Sequence, residues 1–209
     1  MLTLFVGKRE LGKTTLAVFV SQSYKKRVIF DPRHMINTSP IILSEGQIKG
    51  VLYEILDSRA DVIIRPKFDV QTAFNEMCFE IMEWIGDNPD VKFCLFIDEI
   101  RFVQSPETNQ YFDFIVRCTD GNMVAVLLTM HGITDASTDL RRIADFLVLF
   151  HLTLAADVDR VRERCGDTVA EKVQTLKPYQ YIVWNDRNGT YKEHMDSAKW
   201  FVPIQRKVA

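Results

Sequence analysis

The sequence predicts an α/β fold, a mainly parallel sheet flanked by helices, on three observations. Short apolar runs of strand length alternate along the chain with segments of helical periodicity. Residues 7–14 read Gly-Lys-Arg-Glu-Leu-Gly-Lys-Thr, a complete G-x-x-x-x-G-K-[ST] pattern placed between an apolar run and a helix start. The run Phe93 to Ile97 ends in Asp98-Glu99, two acids where a strand gives way to a loop.

Taken from the amino terminus, Leu2 to Val6 is an apolar run stopped by Gly7, which predicts a strand, and residues 13–23 follow as a helix. Strands are expected at Arg27 to Phe30, ending at the turn Asp31-Pro32, and at Val62 to Arg65. Val70, Phe74, Met77, Ile81 and Trp84 recur at three- and four-residue spacing, predicting a helix over 71–86 that packs on the sheet. The strand Lys92 to Ile97, a helix over 108–118 and the strands Met123 to Thr129 and Phe146 to His151 come next. A helix over 156–165 leads to the strand Gln180 to Asn185. The turn Asn185-Asp186-Arg187-Asn188-Gly189 and the run Thr190 to Lys192 then predict a C-terminal β-hairpin at the sheet edge. No repeat, low-complexity tract or long linker divides the chain. A single domain over 1–209 is expected, large enough to bury a core without disulfides or a structural metal.

Lys and Arg total 26 against 28 Asp and Glu, a formal net charge of −2, so no overall basic field advertises a DNA-coating or membrane-surface protein. That balance still admits a ring touching DNA through a few pore-lining residues. Cys78, Cys94, Cys118 and Cys165 form no C-x-x-C pair and are expected to be reduced, mostly buried thiols. The longest apolar stretches, such as Met123 to Met130, fall far short of a membrane span, and no basic-then-apolar leader opens the chain. A cytosolic protein that is not itself transmembrane is expected.

The motif at residues 7–14 is a phosphate-binding loop, and its residue types follow from the task. Gly7 and Gly12 let the backbone turn tightly while its N–H groups wrap a phosphate. Lys13 reaches the β and γ phosphates of ATP, Thr14 offers its hydroxyl to Mg²⁺, and the helix it opens points its positive end at the anion. The expected nucleotide-binding set is Gly7, Lys8, Arg9, Glu10, Leu11, Gly12, Lys13, Thr14 and Thr15, with Lys8 and Arg9 equally readable as exposed loop cations. Asp98 and Glu99 complete a Walker B pattern. In a doubly wound sheet Asp98 faces the Mg²⁺ held by Thr14, and Glu99 faces the space beyond the γ phosphate, to orient or deprotonate the attacking water. A third polar station on the neighbouring strand is expected at Thr129 or His131, with a locally bonded surface histidine as the alternative for His131.

With these pieces in register the chain resembles the HerA/FtsK superfamily of P-loop NTPases, and most closely the DNA-packaging ATPases of tectivirus-like, membrane-containing viruses with double jelly-roll capsids. The resemblance covers nearly the whole chain, through GKRELGKTT, VIFDPRH, LFIDEI, LLTMHG, DLRRIADFLVLFHLT and DVDRVRERCGDTVAEKVQTLKPYQYIVWN. The segment from Leu128 to Tyr181 separates this family from other ATPases. Two departures stand out: Glu10-Leu11 replace small residues in the loop, and Met130-His131 stand where many members place glutamine.

The resemblance implies a RecA-like domain working as a homo-oligomeric ring, usually a hexamer, with an arginine supplied in trans to each site. Arg117 is the first candidate, because it ends the helix before the Met123 strand; Arg141 and Arg142 are the second. The function it implies is an ATP-hydrolysing translocase that pumps double-stranded viral DNA, without regard to sequence, into a preformed capsid. Its partners would be proteins of the capsid vertex or internal membrane. Its place would be the cytoplasm of the infected host cell, with virion association a further possibility. The segment Arg101 to Asn109, with Arg101 and Gln104, is a candidate for DNA contact, and the tail Lys199 to Lys207, with Trp200 and Phe201, reads first as a strand or helix packing on the domain and second as a docking site. Alternatives are a morphogenesis or conjugation ATPase similar to the zonula-occludens-toxin-like phage proteins, or a nucleotide-dependent assembly switch with little turnover. A small-molecule kinase is disfavoured by Glu99 and by the lack of a lid segment.

Overall fold

Nine strands form one sheet in the computed structural model, which describes residues 1–38, 41–58, 61–103, 109–121 and 123–195. Their order is β3-β4-β2-β5-β6-β1-β7-β8-β9. β1 (Leu2–Val6) lies between β6 (Val124–Met130) and β7 (Phe146–Leu149), parallel to both. β5 (Phe93–Ile97) runs parallel between β2 (Lys26–Phe30) and β6. β4 (Asp61–Ile64) and β3 (Ile42–Leu43) continue the parallel series. β8 (Tyr181–Asn185) and β9 (Thr190–His194) add antiparallel, forming the expected hairpin at the edge.

Burial explains why the central strands read as unbroken apolar runs: β1, β5 and β6 are covered on both faces along their full length. On one face α1 (Lys13–Ser21) sets Ala17 and Val18 against Phe5, Ile29, Phe96, Leu127 and Phe150. The other face carries α3 (Val70–Asp87) and α4 (Gln110–Arg117): Phe74 of α3 packs ring to ring with Phe30 of β2 on one side and with Phe112 of α4 on the other, each at a centroid spacing of 5.5 Å. Phe74, Met77, Ile81 and Trp84, the stripe predicted for α3, are all buried. Asp69 caps that helix by accepting from Thr72 N, and Asn109 caps α4 by accepting from Tyr111 N and Phe112 N, which starts the latter at 110 rather than 108.

Among the strands and α-helices of the described residues, four lie outside the sequence expectation: β3, α2 (Val51–Ser58), α5 (Thr138–Ile143) and α7 (Asp167–Val173). Each helix has eight residues or fewer, about two turns, too short for a 3.6-residue repeat to emerge from its neighbours. Ser137 caps α5 by accepting from Leu140 N. α6 (Ala155–Cys165) matches its prediction closely.

None of the four cysteines is in a disulfide; Cys78, Cys94 and Cys165 are buried, and burial pushes the Cys94 and Cys165 thiols up to about 12. Among the described residues no helix is long and apolar enough to cross a membrane. Gln104 and the tail from Lys199 to Lys207, with Trp200 and Phe201, lie outside the described residues.

Candidate functional site

The site forms where β1, β5 and β6 end, because parallel strands deliver their following loops to one edge of the sheet. The loop 7–14 leaves β1 and enters α1. Gly7 is dictated by a close approach: a Cβ built there would lie 2.6 Å from Phe150 Cβ, and its φ is +154°. Phe150 N donates to Val6 O at 2.8 Å, fixing β7 against the loop entrance. Gly12, at the amino end of α1, has φ +96°, a conformation glycine adopts without strain. Glu10, between them, is exposed and also left-handed, with φ +63°.

Lys13 is buried, and its Nζ donates to Lys8 O at 2.7 Å, so the ammonium sits inside the curve of its own loop. Burial lowers its pKa to about 8, opposed by the Glu99 and Asp98 carboxylates, which leaves it charged at neutral pH. Exposed Lys8 and Arg9, half-buried Leu11, and Thr14 and Thr15 complete the loop and the helix start.

A chain of hydrogen bonds joins the two motifs. Thr14 Oγ1 donates to Asp98 Oδ1 at 2.8 Å, Thr129 Oγ1 donates to the same oxygen at 2.8 Å, and Glu99 N donates to Thr129 Oγ1 at 2.8 Å. Burial raises the Asp98 pKa, while the two hydroxyl donors pull it back. Of the two residues considered for the third station, Thr129 is fully buried with its hydroxyl committed to the acid pair, whereas His131 reaches the space beside Glu99. Thr129 thus sets the positions of both acids from the neighbouring strand.

Glu99 is 2% exposed and adopts φ +56°, so the chain turns sharply straight after the metal-type aspartate. Its Oε1 accepts from Arg33 Nη1 at 3.2 Å. Its Oε2 faces Arg101 Nε at 3.4 Å, near enough for charge contact, and His131 Nε2 at 3.0 Å, both out of line for a hydrogen bond. His131 Nε2 also stands 3.4 Å from Arg9 Nε, and one ring nitrogen cannot serve both neighbours. Burial, with the cations Lys13, Arg101 and Arg9 adding to it, drives the His131 pKa down to about 4, so its ring is neutral.

Arg33 was missed by sequence reasoning. It follows β2, and only the observed pairing of β2 with β5 brings the residues after the two strands together. Fully buried Asp31 fixes its loop, accepting from Met35 N at 3.0 Å, Ile36 N at 2.9 Å and Arg65 Nε at 3.1 Å. The segment after β6 is pinned in the same manner. Asp135 accepts from His131 N and Gly132 N, and buried Asp157 accepts from Thr134 N and Oγ1. A Cβ on Gly132 would lie 2.6 Å from Asp157 Oδ2.

Of the three arginines considered for action in trans, two are exposed and one is spent within its own chain. Arg117 ends α4, its side chain 77% exposed and paired only with Asp113 at 2.7 Å among the contacts described. Thr119, two residues on, accepts from the amino-terminal nitrogen of Met1, which places Arg117 at the sheet edge opposite loop 7–14. Arg142 is equally exposed and pairs with Asp139 at 3.4 Å. Arg141 is spent within its own chain, donating to Ile133 O, Ala136 O and Thr138 Oγ1.

Among the described residues no cluster of three or more His, Cys, Asp or Glu is arranged to hold a metal. The Thr14 hydroxyl beside the Asp98 carboxylate is instead a hard-oxygen pair of the kind Mg²⁺ uses when phosphates and waters supply the rest of its shell, so the residues fit that ion.

Strand order, loop and acid pair define the P-loop NTPase fold. Solved structures agree. The genome packaging NTPase B204 from Sulfolobus turreted icosahedral virus 2, in complex with sulfate, superposes with a TM-score of 0.73 at 18% identity, over 92% of this chain and 94% of that one. The same protein in complex with AMPPCP gives 0.71 at 16% identity, over 92% and 96%. B204, the DNA-packaging ATPase from Sulfolobus Turreted Icosahedral Virus, gives 0.69 at 15%, over 92% and 96%. No protein-family model matches the chain, and no curated protein matches it by sequence.

Proposed function

We propose that this protein hydrolyses ATP and uses the energy to move double-stranded DNA, without regard to sequence, into a preformed viral capsid. The observation that carries the ATPase reading is the hydrogen-bonded chain Thr14–Asp98–Thr129–Glu99, which sets a buried carboxylate beside the phosphate loop at the edge where three parallel strands end. Lys13 and the N–H groups of loop 7–14 bind the phosphates. Thr14 and Asp98 hold Mg²⁺, which neutralises phosphate charge when bound. Glu99, kept in place by Arg33, orients the attacking water and takes its proton.

The packaging reading draws support from the similarity in fold to B204, a genome packaging NTPase, over most of both chains. A net charge of −2 suits a motor that touches the DNA backbone with a few cations in a pore, and Arg101, beside Glu99, is the described residue proposed for that contact. The working form is proposed to be a ring, a hexamer, completed at each site by an arginine from the next subunit. It acts in the infected cell, docked on the capsid.

Steady-state ATP hydrolysis with and without double-stranded DNA, across a range of protein concentration, tests the proposal. DNA stimulation that rises cooperatively with protein concentration supports a ring-shaped motor. Tight ATP binding with a low rate unmoved by DNA would instead describe an assembly switch.

A further inference from the structure

Glu99 Oε1 accepts from Arg33, but Oε2 is buried and no hydrogen bond from the described residues reaches it. A carboxylate that takes a proton from water has to hand it on before it can act again. While nucleotide covers the site, only a neighbouring group can receive that proton, and the neighbours differ in whether they can. Arg33, Arg101 and Lys13 are cations without a lone pair to offer. The Thr129 hydroxyl is spent on Asp98 Oδ1 and Glu99 N. His131 Nε2, 3.0 Å from Oε2, is the acceptor that remains among these neighbours.

The His131 ring is in the form such a transfer needs. Arg9 Nε donates to His131 Nε2 at 3.4 Å, so that nitrogen presents its lone pair and the ring proton sits on Nδ1. Two acceptors, the carboxylate Oε2 and Nε2, thus face each other at 3.0 Å with no hydrogen between them. One added proton would turn that contact into a charge-assisted hydrogen bond. The charged groups facing the ring are Lys13 of α1, Arg9 of loop 7–14, Arg101 and Glu99 after β5, and Asp135 of its own segment. Burial, then the three cations, keep the ring neutral, with its pKa at about 4, and favour the loss of any proton it takes up. The ring also leads outward: its side chain is 18% exposed against 3% for Glu99. Its backbone is fixed, because Asp135 accepts from His131 N at 2.9 Å.

We propose that His131 is the outlet for the proton of the attacking water. Water adds to the γ phosphorus as the bond to the bridging oxygen breaks, and ADP keeps that oxygen. One water proton passes to Glu99 Oε2 and the other stays on the phosphate as its hydroxyl. The first proton then moves from Oε2 to His131 Nε2, and the imidazolium releases it to solvent, leaving both side chains as they began. The inference rests on the proposal that Glu99 is the base of an ATPase.

ATP hydrolysis by the full chain, with double-stranded DNA present and imidazole added or withheld, tests the relay. His131→Gln keeps a polar side chain that cannot carry a proton, and kcat should fall by about 10²-fold, the low end of what general acid–base catalysis contributes, with ATP affinity nearly unchanged. His131→Ala should lose as much and regain rate in proportion to added imidazole, with a more basic methylimidazole restoring more at equal concentration. Imidazole should do nothing for Glu99→Gln, where the first acceptor is missing. A merely structural histidine gives no such rescue. Full rate in His131→Gln, or a loss in His131→Ala that imidazole leaves unrepaired, overturns the relay and leaves Glu99 as the base. A wild type that binds ATP without hydrolysing it, or full hydrolysis by Glu99→Gln, overturns the base and the relay together.

Discussion

Arg33 Nη1 lies 3.2 Å from Glu99 Oε1, so the carboxylate at the end of β5 is held by a residue delivered from the end of the adjacent strand β2. The loop that presents Arg33 is in turn fixed by buried Asp31 and its partner Arg65. Arg33→Ala is expected to lower kcat about 10- to 100-fold by misplacing Glu99, with KM for ATP nearly unchanged. Arg33→Lys should recover part of the loss. A large rise in KM with unaltered kcat would move Arg33 from holding Glu99 to binding phosphate.

Glu99→Gln keeps the shape and the contact with Arg33 but removes the carboxylate proposed as the base. Nucleotide binding should persist while hydrolysis falls by about 10²–10⁴-fold, the range that general-base catalysis contributes. Single-turnover measurements with labelled ATP would show a bound, uncleaved nucleotide. Wild-type turnover in this variant would remove Glu99 from the proton-transfer role.

Gly7→Ala tests the fold and the site together. The added carbon would lie 2.6 Å from Phe150 Cβ, and the backbone there is at φ +154°. Overpacking of this kind costs about 1–3 kcal/mol, to be read from denaturant unfolding. Phosphate binding should weaken with it, because the loop must shift off β7. Unchanged stability and binding would show that the Phe150 contact yields easily.

Much of this was legible beforehand, for a physical reason. Strands buried on both faces, such as β1, β5 and β6, must be largely apolar, and their ends are marked by residues of the candidate site: Gly7, Asp98 and Thr129. The amphipathic α3 likewise spelled out its buried face. What stayed hidden depends on neighbours in space. Arg33 gains its partner only from the order of β2 and β5. The reason for Gly7 was half visible: a loop that wraps phosphate needs glycine, but the closest obstacle is Phe150, just after β7. Short helices such as α2, α5 and α7 are stabilised by packing more than by local pattern, so their sequences announce them poorly.

His131 gives the fold a pH dependence. Burial and nearby cations hold its folded pKa at about 4, against 6.5 for the free side chain. Between these values the unfolded chain takes up a proton that the folded chain refuses, so stability falls as pH drops from 6.5 toward 4 and this contribution levels off below that. His131→Gln should flatten this part of the stability curve without lowering stability at pH 7.5 by more than a small amount. A wild-type curve already flat from pH 7 to 4 would mean that the ring protonates freely in the folded protein, beside Glu99.

The arginines on α4 and α5 separate structure from action in trans. Arg141→Ala strands the carbonyls of Ile133 and Ala136 and should cost about 1–3 kcal/mol in an isolated subunit, the penalty for buried acceptors left unpaired. Arg117 makes an exposed i,i+4 pair with Asp113, and Arg117→Ala should cost only about 0.3–0.5 kcal/mol. If Arg117 completes a neighbour's site, its loss should leave the unfolding curve and ATP binding of the single subunit intact. Hydrolysis by the assembled protein would then fall about 10³-fold or more, as expected for an arginine finger. Mixing Arg117→Ala with Glu99→Gln subunits decides the matter, because a finger in trans restores some activity at interfaces where an intact Glu99 meets an intact Arg117. Mixed assemblies with no recovered activity, or an Arg117→Ala protein with full hydrolysis, would transfer the role to Arg142, the other exposed arginine of the set.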